Sequence, residues 1–292
     1  MSTDALAATR ALDRRSSGRR RARLILAHVT IYAAALVFML PLIYAFFSAL
    51  KPNGEMFAMP PRLVGSELRW SNFAEVFEYG PFWTYIRNSL FVAVAGTVVV
   101  LIVSTTAGYA FGRLRWKGRD LVFVAFLATL MVPAEVLVIP MFQVMQWFGW
   151  VDTFRALVFP FAFGAFGTFL MRQFFRGIPF ELEEAARIDG AGPIKTFALI
   201  LLPLSKSAVA VLSVFTFLTF WNAYLWPLIV TVDLQSKGTL PIGLASFSGL
   251  TGTRWDLQMA AAIISMIPTT VLVIVLQKHL VKGISMAGLG GR

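Results

Sequence analysis

Residues 184–203 read Glu184-Ala185-Ala186, three residues, Gly190, nine residues, then Ile200-Leu201-Leu202-Pro203, and they lie between two long apolar segments. The spacing predicts a hairpin of two short helices. Pro179 suits the first turn of the first helix, where its missing N–H costs nothing. Glu181, Glu183 and Glu184 follow near the positive end of the helix dipole. Glu183 stands four residues before Arg187, the favourable order for a pair along one helix. Gly190 offers a left-handed stop. Pro193 then starts a second helix that runs to about Leu202, and Pro203 bends the chain into the next apolar segment. Ala185 and Ala186 leave one face without bulk, so another protein can approach the backbone closely. A helix lying on lipid would instead be rich in Lys and Arg with large apolar residues opposite. This one is acidic at its start and small in its middle, which reads as a docking surface for a soluble partner.

The rest of the chain places that hairpin at a membrane. Of 292 residues, 58% are hydrophobic and 14% charged, which excludes an ordinary soluble domain. Segments 24–50, 89–111, 121–145, 156–175, 204–230 and 257–281 are each about long enough for a ~30 Å hydrocarbon core. The expected fold is all-α: a polytopic membrane protein of six transmembrane helices. The segments are continuously apolar rather than alternating, which argues against a barrel. The expected division is a basic N-terminal tail (1–23), a membrane domain (24–281) holding the hairpin at about 177–203, and a C-terminal tail (282–292).

Cytoplasmic loops carry the Lys/Arg excess in membrane proteins. With the N-terminus inside, the inside segments hold 19 Lys/Arg against 7 Asp/Glu, and the outside segments 7 against 7. Both termini are therefore expected on the cytoplasmic side of the cell membrane. The net charge of +11 is largely this topological signal rather than a nucleic-acid footprint. The run Arg19-Arg20-Arg21 leads into a full-length span, unlike a cleaved signal peptide, and reads as a tail that fixes orientation and meets anionic lipid.

Several chemistries are excluded. There is no Cys, and His28 and His279 stand near opposite ends of the chain, so no metal site and no catalytic residue is expected. A self-sufficient ATPase would need Gly-x4-Gly-Lys-Ser/Thr, which is absent. A secondary transporter or channel predicts intramembrane carboxylates or a polar filter, and Glu135 is the one acidic residue within a span. Pro41, Pro133, Pro140, Pro160, Pro227 and Pro268 predict kinks in the spans. The external segment 51–87 is too long for a tight turn and is expected to be partly structured.

The stretch Phe169-Leu-Met-Arg-Gln-Phe-Phe-Arg-Gly-Ile-Pro179 followed by Glu181-Leu-Glu-Glu-Ala-Ala-Arg-Ile-Asp-Gly-Ala191 resembles the second permease subunit of carbohydrate-type ATP-binding-cassette importers, the group of the maltose and glycerol-3-phosphate permeases. The likeness extends to Leu50-Lys-Pro52, Arg87-Asn-Ser-Leu90, Gly108-Tyr-Ala110 with Arg113, Met131-Val-Pro133, Trp221-Asn222 with Leu225-Trp-Pro-Leu228, and Leu276-Gln277 with Gly283. Ser207, Phe180 and the ending Ala287-Gly-Leu-Gly-Gly291 depart from the pattern.

The resemblance implies a type I importer permease fold and a transport role without catalysis. It implies a heterodimer with a second permease, a cytoplasmic ATPase dimer that binds ATP and Mg, and an extracytoplasmic solute-binding protein. This chain itself would bind no cofactor. By the same resemblance Glu184, Ala185, Ala186, Asp189 and Gly190 form the surface coupled to the ATPase. Glu184 has two open roles there, pairing with a basic residue of the ATPase or capping its own helix. The substrate implied is a sugar or sugar derivative, with glycerol-3-phosphate or a polyol as the alternative.

Candidate contacts to that solute come from the residues. Ionisable groups inside spans default to functional hypotheses, so Glu135 either faces the solute cavity or bonds backbone freed by Pro133. Trp221, Asn222 and Tyr224 combine aromatic faces with an amide, a pattern suited to sugars. Aromatic side chains also gather at membrane interfaces and an intramembrane Asn often bridges helices, so packing is the competing role.

Overall fold

The computed structural model describes residues 3–249 and 252–289, with side chains for 23–249 and 252–279. Helix α1 (Thr3–Ala49) continues past Pro41 without a break. Carbonyls at a helix end lack intrahelical partners, and buried Asn72 supplies them, its Nδ2 donating to Ala49 O at 2.9 Å and Lys51 O at 3.0 Å. Asn72 belongs to α2 (Ser71–Tyr79), the one α-helix in a connection that is otherwise turns. Buried Lys51 donates from Nζ to Arg62 O at 2.5 Å, pinning the same connection.

Helix α3 (Phe82–Gly112) then runs unbroken for 31 residues. The next two apolar segments are broken. The path through α4 (Arg119–Ala128) and α5 (Val138–Trp147) turns by 92° between Met131 and Ala134. That through α6 (Phe154–Val158) and α7 (Ala165–Arg176) turns by 47° between Phe161 and Ala165. Pro133 sits in the first break, as expected. Pro140 causes none, because it is the third residue of α5, where the N–H has no intrahelical partner anyway.

The hairpin comprises α8 (Glu181–Ile188) and α9 (Pro193–Thr196), and a π turn at Phe197–Leu201 leads to α10 (Leu202–Leu204) and α11 (Lys206–Trp221). Two expectations change here. Pro179 precedes the helix rather than sitting in its first turn. The 77° bend falls at Ser205, not Pro203; the buried Ser205 hydroxyl donates to Leu201 O at 2.7 Å and supports it.

The fifth segment also stops short of Val230. Helix α11 ends at Trp221, and α12 (Leu225–Val230) is a separate turn with Pro227 as its third residue. Short helices α13 (Leu234–Lys237) and α14 (Leu240–Ala245) follow, then a two-residue antiparallel pairing of β1 (Ser248–Gly249) with β2 (Gly252–Thr253). Last comes α15 (Trp255–Leu289), which passes Pro268 unbroken and carries helix beyond the expected boundary at 281. By length and composition, the three unbroken helices and three bent pairs give up to six crossings.

Helix α3 is the centre of the bundle, packed on α7 and α11. Small residues permit the close approach that membrane helices use in place of a hydrophobic driving force. A Cβ at Gly108 would lie 2.6 Å from Met171 Cβ, and one at Gly96 would lie 2.4 Å from the Phe220 ring. Helix α1 packs on α15 but is different: every side chain from 23 to 42 is exposed, and burial begins only at residue 43.

At the bundle end opposite the hairpin, Asp152 organises a cap. It adopts φ 60°, a conformation Asp tolerates better than most residues. Its carboxylate accepts Lys237 Nζ at 2.5 Å and the N–H groups of Val232 and Asp233 at 3.0 and 3.1 Å. The Lys237 ammonium, aided by those two amides, holds the Asp152 carboxyl below the usual carboxylate range. A depressed carboxylate stabilises the folded form above its unfolded value of about 3.9 and loses that contribution as pH falls through the lower folded value. The protection of residues 231–240 against hydrogen exchange, relative to the free-peptide rate at each pH, is therefore expected to fall as pH drops through that acidic range. In Asp152→Asn that protection is expected to be low already at neutral pH, with the acid step gone. An unchanged acid step would show that Asp152 does not hold the cap.

Candidate coupling hairpin and solute path

The hairpin turns where Gly190 adopts φ +77°. Ala191 N–H bonds Ala186 O at 2.8 Å and Gly190 N–H bonds Arg187 O at 3.1 Å, the two closing bonds of a Schellman motif. Gly190 has open space around it.

Both arms are held by the end of α3. Arg113, which caps that helix, forms an ion pair with Glu183, and both side chains are buried, at 6% and 8% exposure. The Arg113 Nη2 also donates to Ile178 O at 2.7 Å, and its guanidinium lies 5.2 Å from the Phe180 ring centre. One turn earlier, the Tyr109 hydroxyl donates to Pro193 O at 3.1 Å, fixing the second arm. The Tyr109 ring packs against Phe197, centroids 5.0 Å apart.

A neighbouring contact ties α7 to the same corner. Arg172 donates from Nε to Phe111 O at 3.1 Å, pairs with Asp120 at 3.1 Å, and stacks its guanidinium 4.0 Å from the Phe123 ring centre.

This geometry sorts the expected coupling residues. Glu184, Ala185, Asp189 and Gly190 are exposed on the hairpin surface, whereas Ala186 faces the bundle and is buried. Glu183 does not pair with Arg187; it lies on the same inward face as Ala186, three residues on, and a carboxylate buried there needs the Arg113 charge. Two residues of the surface were not read from sequence. Ile188 and Ile194 are 87% and 83% exposed, an apolar pair on the two arms. Their signal was available: β-branched apolar residues flanking the Asp189–Gly192 turn have no obvious core to enter. Tyr109 and Arg113 were visible only as parts of a resemblance, since nothing local ties them to residues 65 or more positions away.

The four expected solute contacts are not gathered in one place. Glu135 is exposed in the turn Ala134–Leu137 and makes no ion pair among the described residues. Asn222 and Tyr224 are exposed between α11 and α12. Trp221 is buried, and its indole N–H donates to Ser265 O of α15 at 3.2 Å. A largely apolar cleft of about 290 Å³ lies between α7 and α11, lined by residues such as Phe166, Gly167, Thr216 and Phe220, and none of the four reaches it.

Known proteins share this architecture. The chain is 37% identical over 273 residues to the sn-glycerol-3-phosphate transport system permease protein UgpE of Yersinia pestis bv. Antiqua (strain Antiqua), covering 91% of this chain and 97% of that one. The protein of the same name from Escherichia coli O6:K15:H31 is 35% identical over 268 residues, 89% of this chain and 95% of its own.

Among solved structures, a chain of a bacterial ABC transporter involved in the import of the acidic polysaccharide alginate superposes with a TM-score of 0.76. Its identity is 26%, with 89% of this chain and 97% of that chain covered. A chain of the MetNI methionine ABC transporter shares the fold at a TM-score of 0.53 and 16% identity, covering 67% of this chain and 94% of that one. Residues 104–286 match the family model for the inner membrane component of binding-protein-dependent transport systems. That match takes in α3 from Ser104, the hairpin and its clamp, and with the relatives above it places this multi-pass membrane chain in that family.

Proposed function

We propose that this chain is one of two permease subunits of an ATP-driven importer of sugars or sugar derivatives. The observation that carries the coupling role is the exposed hairpin edge, with Glu184, Ala185, Asp189, Gly190 and the two isoleucines outward, mounted on α3 through buried charge. That edge docks in a cleft of a cytoplasmic ATPase, which binds ATP and Mg, so this subunit needs no ATPase site of its own. Both termini and the hairpin lie in the cytoplasm, and an external binding protein delivers solute to the opposite end. Ala186 supports the surface from beneath.

For the solute path we propose Asn222, Tyr224 and Glu135, all exposed in this chain and free to line a cavity completed by the second permease. Asn222→Ala is expected to weaken apparent affinity or slow uptake, and unchanged transport removes it from the path.

The substrate class follows the relatives. A chain of the alginate importer and the glycerol-3-phosphate permeases both carry this architecture. The sequence identity favours glycerol-3-phosphate as a second reading, whereas the spans offer no basic residue deep enough to neutralise a phosphate, which favours neutral sugars.

Affinity purification of the tagged chain in mild detergent tests the assembly. Recovery of an ATPase, a second permease and a binding protein is expected, and ligand screens on that binding protein name the solute. Recovery of the chain alone, active in proteoliposomes without ATP, would overturn the proposal. Glu184→Lys is expected to keep the chain folded while reducing uptake at least about tenfold, the loss given by roughly 1.4 kcal/mol at a docked charge. Intact uptake would remove Glu184 from the interface.

A further inference from the structure

We infer that α3 is the rod that carries hairpin movement across the membrane, with Arg113 and Tyr109 as positioning residues at one end and Asn88 and Ser89 at the other. This rests on the reading of the hairpin as the ATPase-docking surface.

Three observations carry it. First, α3 is unbroken for 31 residues, about 46 Å at 1.5 Å per residue, while the spans on α4–α5, α6–α7 and α10–α11 are all bent. It is also the most buried of the unbroken helices.

Second, among the described residues, every polar side-chain contact joining residues 177–196 to the rest of the protein ends on α3 or its cap. Arg113 holds Glu183 and Ile178 O, and Tyr109 holds Pro193 O. Separating a buried ion pair leaves an uncompensated charge, so the first arm and α3 resist moving apart.

Third, the far end of α3 is keyed just as closely into the cap. Buried Asn88 donates from Nδ2 to Ser236 O at 2.9 Å and Gly238 O at 3.0 Å, and buried Ser89 Oγ accepts Leu240 N–H at 2.7 Å. The Tyr85 ring lies so close to Gly238 and Gly243 that a Cβ there would fall 2.8 and 2.4 Å from it. A displacement of the hairpin is thus delivered to residues 236–243, at the end where solute enters.

The chain has no cysteine, so introduced cysteines are its unique spin-label sites. Two label pairs are made in the assembled transporter in nanodiscs, with the other subunits cysteine-free. One pair, Glu181→Cys with Val232→Cys, spans hairpin to cap, Glu181 being exposed on α8 and outside the docking edge. The other, Glu181→Cys with Leu26→Cys, spans hairpin to α1, whose described side chains make no polar contact with the hairpin. On adding ATP with EDTA, the first distance is expected to change by less than about 2 Å, the scale of ordinary interface shifts, while the second changes by more. In Arg113→Met the first distance is expected to broaden and become nucleotide-dependent.

If both distances change equally in the parent, or if Arg113→Met leaves the first unchanged, α3 is not the rod. Should Arg113→Met fail to accumulate, Tyr109→Phe removes only the hydroxyl on Pro193 O, and an unchanged width in that variant overturns the inference. A transporter in which neither pair responds and no ATPase co-purifies refutes the docking reading itself, and the rod with it.

Discussion

Gly108→Val is expected to part α3 from α7 and leave little well-folded protein in the membrane. Any Cβ at position 108 meets Met171 Cβ at 2.6 Å and Arg172 N at 2.9 Å. Neither is the free end of a flexible side chain: one is anchored at the backbone and the other is backbone. The two helices must therefore separate, and valine adds two methyl groups to the same gap. Overpacking of this kind costs roughly 1–3 kcal/mol, and more when the backbone has to move. The separation would also pull Arg172 from Phe111 O, because that bond spans the same seam. Yield of monodisperse protein and its thermal midpoint provide the measurement. Gly108→Ala should fall between parent and valine variant, and Gly54→Ala, with nothing within 4 Å, should match the parent. Equal midpoints for Gly108→Val and the parent would show that the seam is not close-packed.

The second large effect separates two adjacent glutamates. Glu183→Leu leaves the Arg113 guanidinium buried with no counter-charge, a situation that costs about 3–5 kcal/mol. Glu184, one residue on, is exposed, so its replacement should leave the midpoint within the small range of surface changes, about 0.5 kcal/mol. Removing both partners, Arg113→Met with Glu183→Leu, should recover part of the loss, since paired apolar groups avoid the desolvation cost of the charges. Recovery should be incomplete, because the part-buried Ile178 O loses its Arg113 donor, a loss below the roughly 1–3 kcal/mol of a fully buried unsatisfied group. The expected order of thermal midpoints is parent, double variant, Glu183→Leu. A double variant no better than the single one would mean that the carboxylate, not the charge balance, holds the arm.

The contrast between those glutamates marks how far sequence reasoning reaches. Spans, hairpin, left-handed Gly190 and the helix start at Pro193 were legible because each depends on local composition or a single backbone preference. The fate of Glu183 was not, because the i,i+4 partner Arg187 is a local rule, and Arg113 lies 70 positions away on another helix. Proline was read too uniformly. Pro133 coincides with a break, but Pro41 and Pro268 leave their helices continuous, so a proline inside an apolar helix does not by itself interrupt it. Conversely, the 77° bend lies at Ser205, where a hydroxyl rather than a ring supports the turn. Trp221 illustrates a different limit: an aromatic suited to a sugar face is buried against α15, and only packing reveals that.

The bare surface of α1 bears on how the protein is made. Its side chains from 23 to 42 are all exposed within the chain, so this helix can be inserted before the rest of the bundle is made. The stretch Arg119–Met131 is not: at 1.5 Å per residue its 13 residues reach about 20 Å, short of a ~30 Å core, and its turn at Pro133 leaves backbone groups that lipid cannot bond. Such a segment has α3 beside it already and is expected to settle once α7 follows. Staged insertion is the expected consequence, with the unbroken helices able to enter singly and the bent ones dependent on their neighbours.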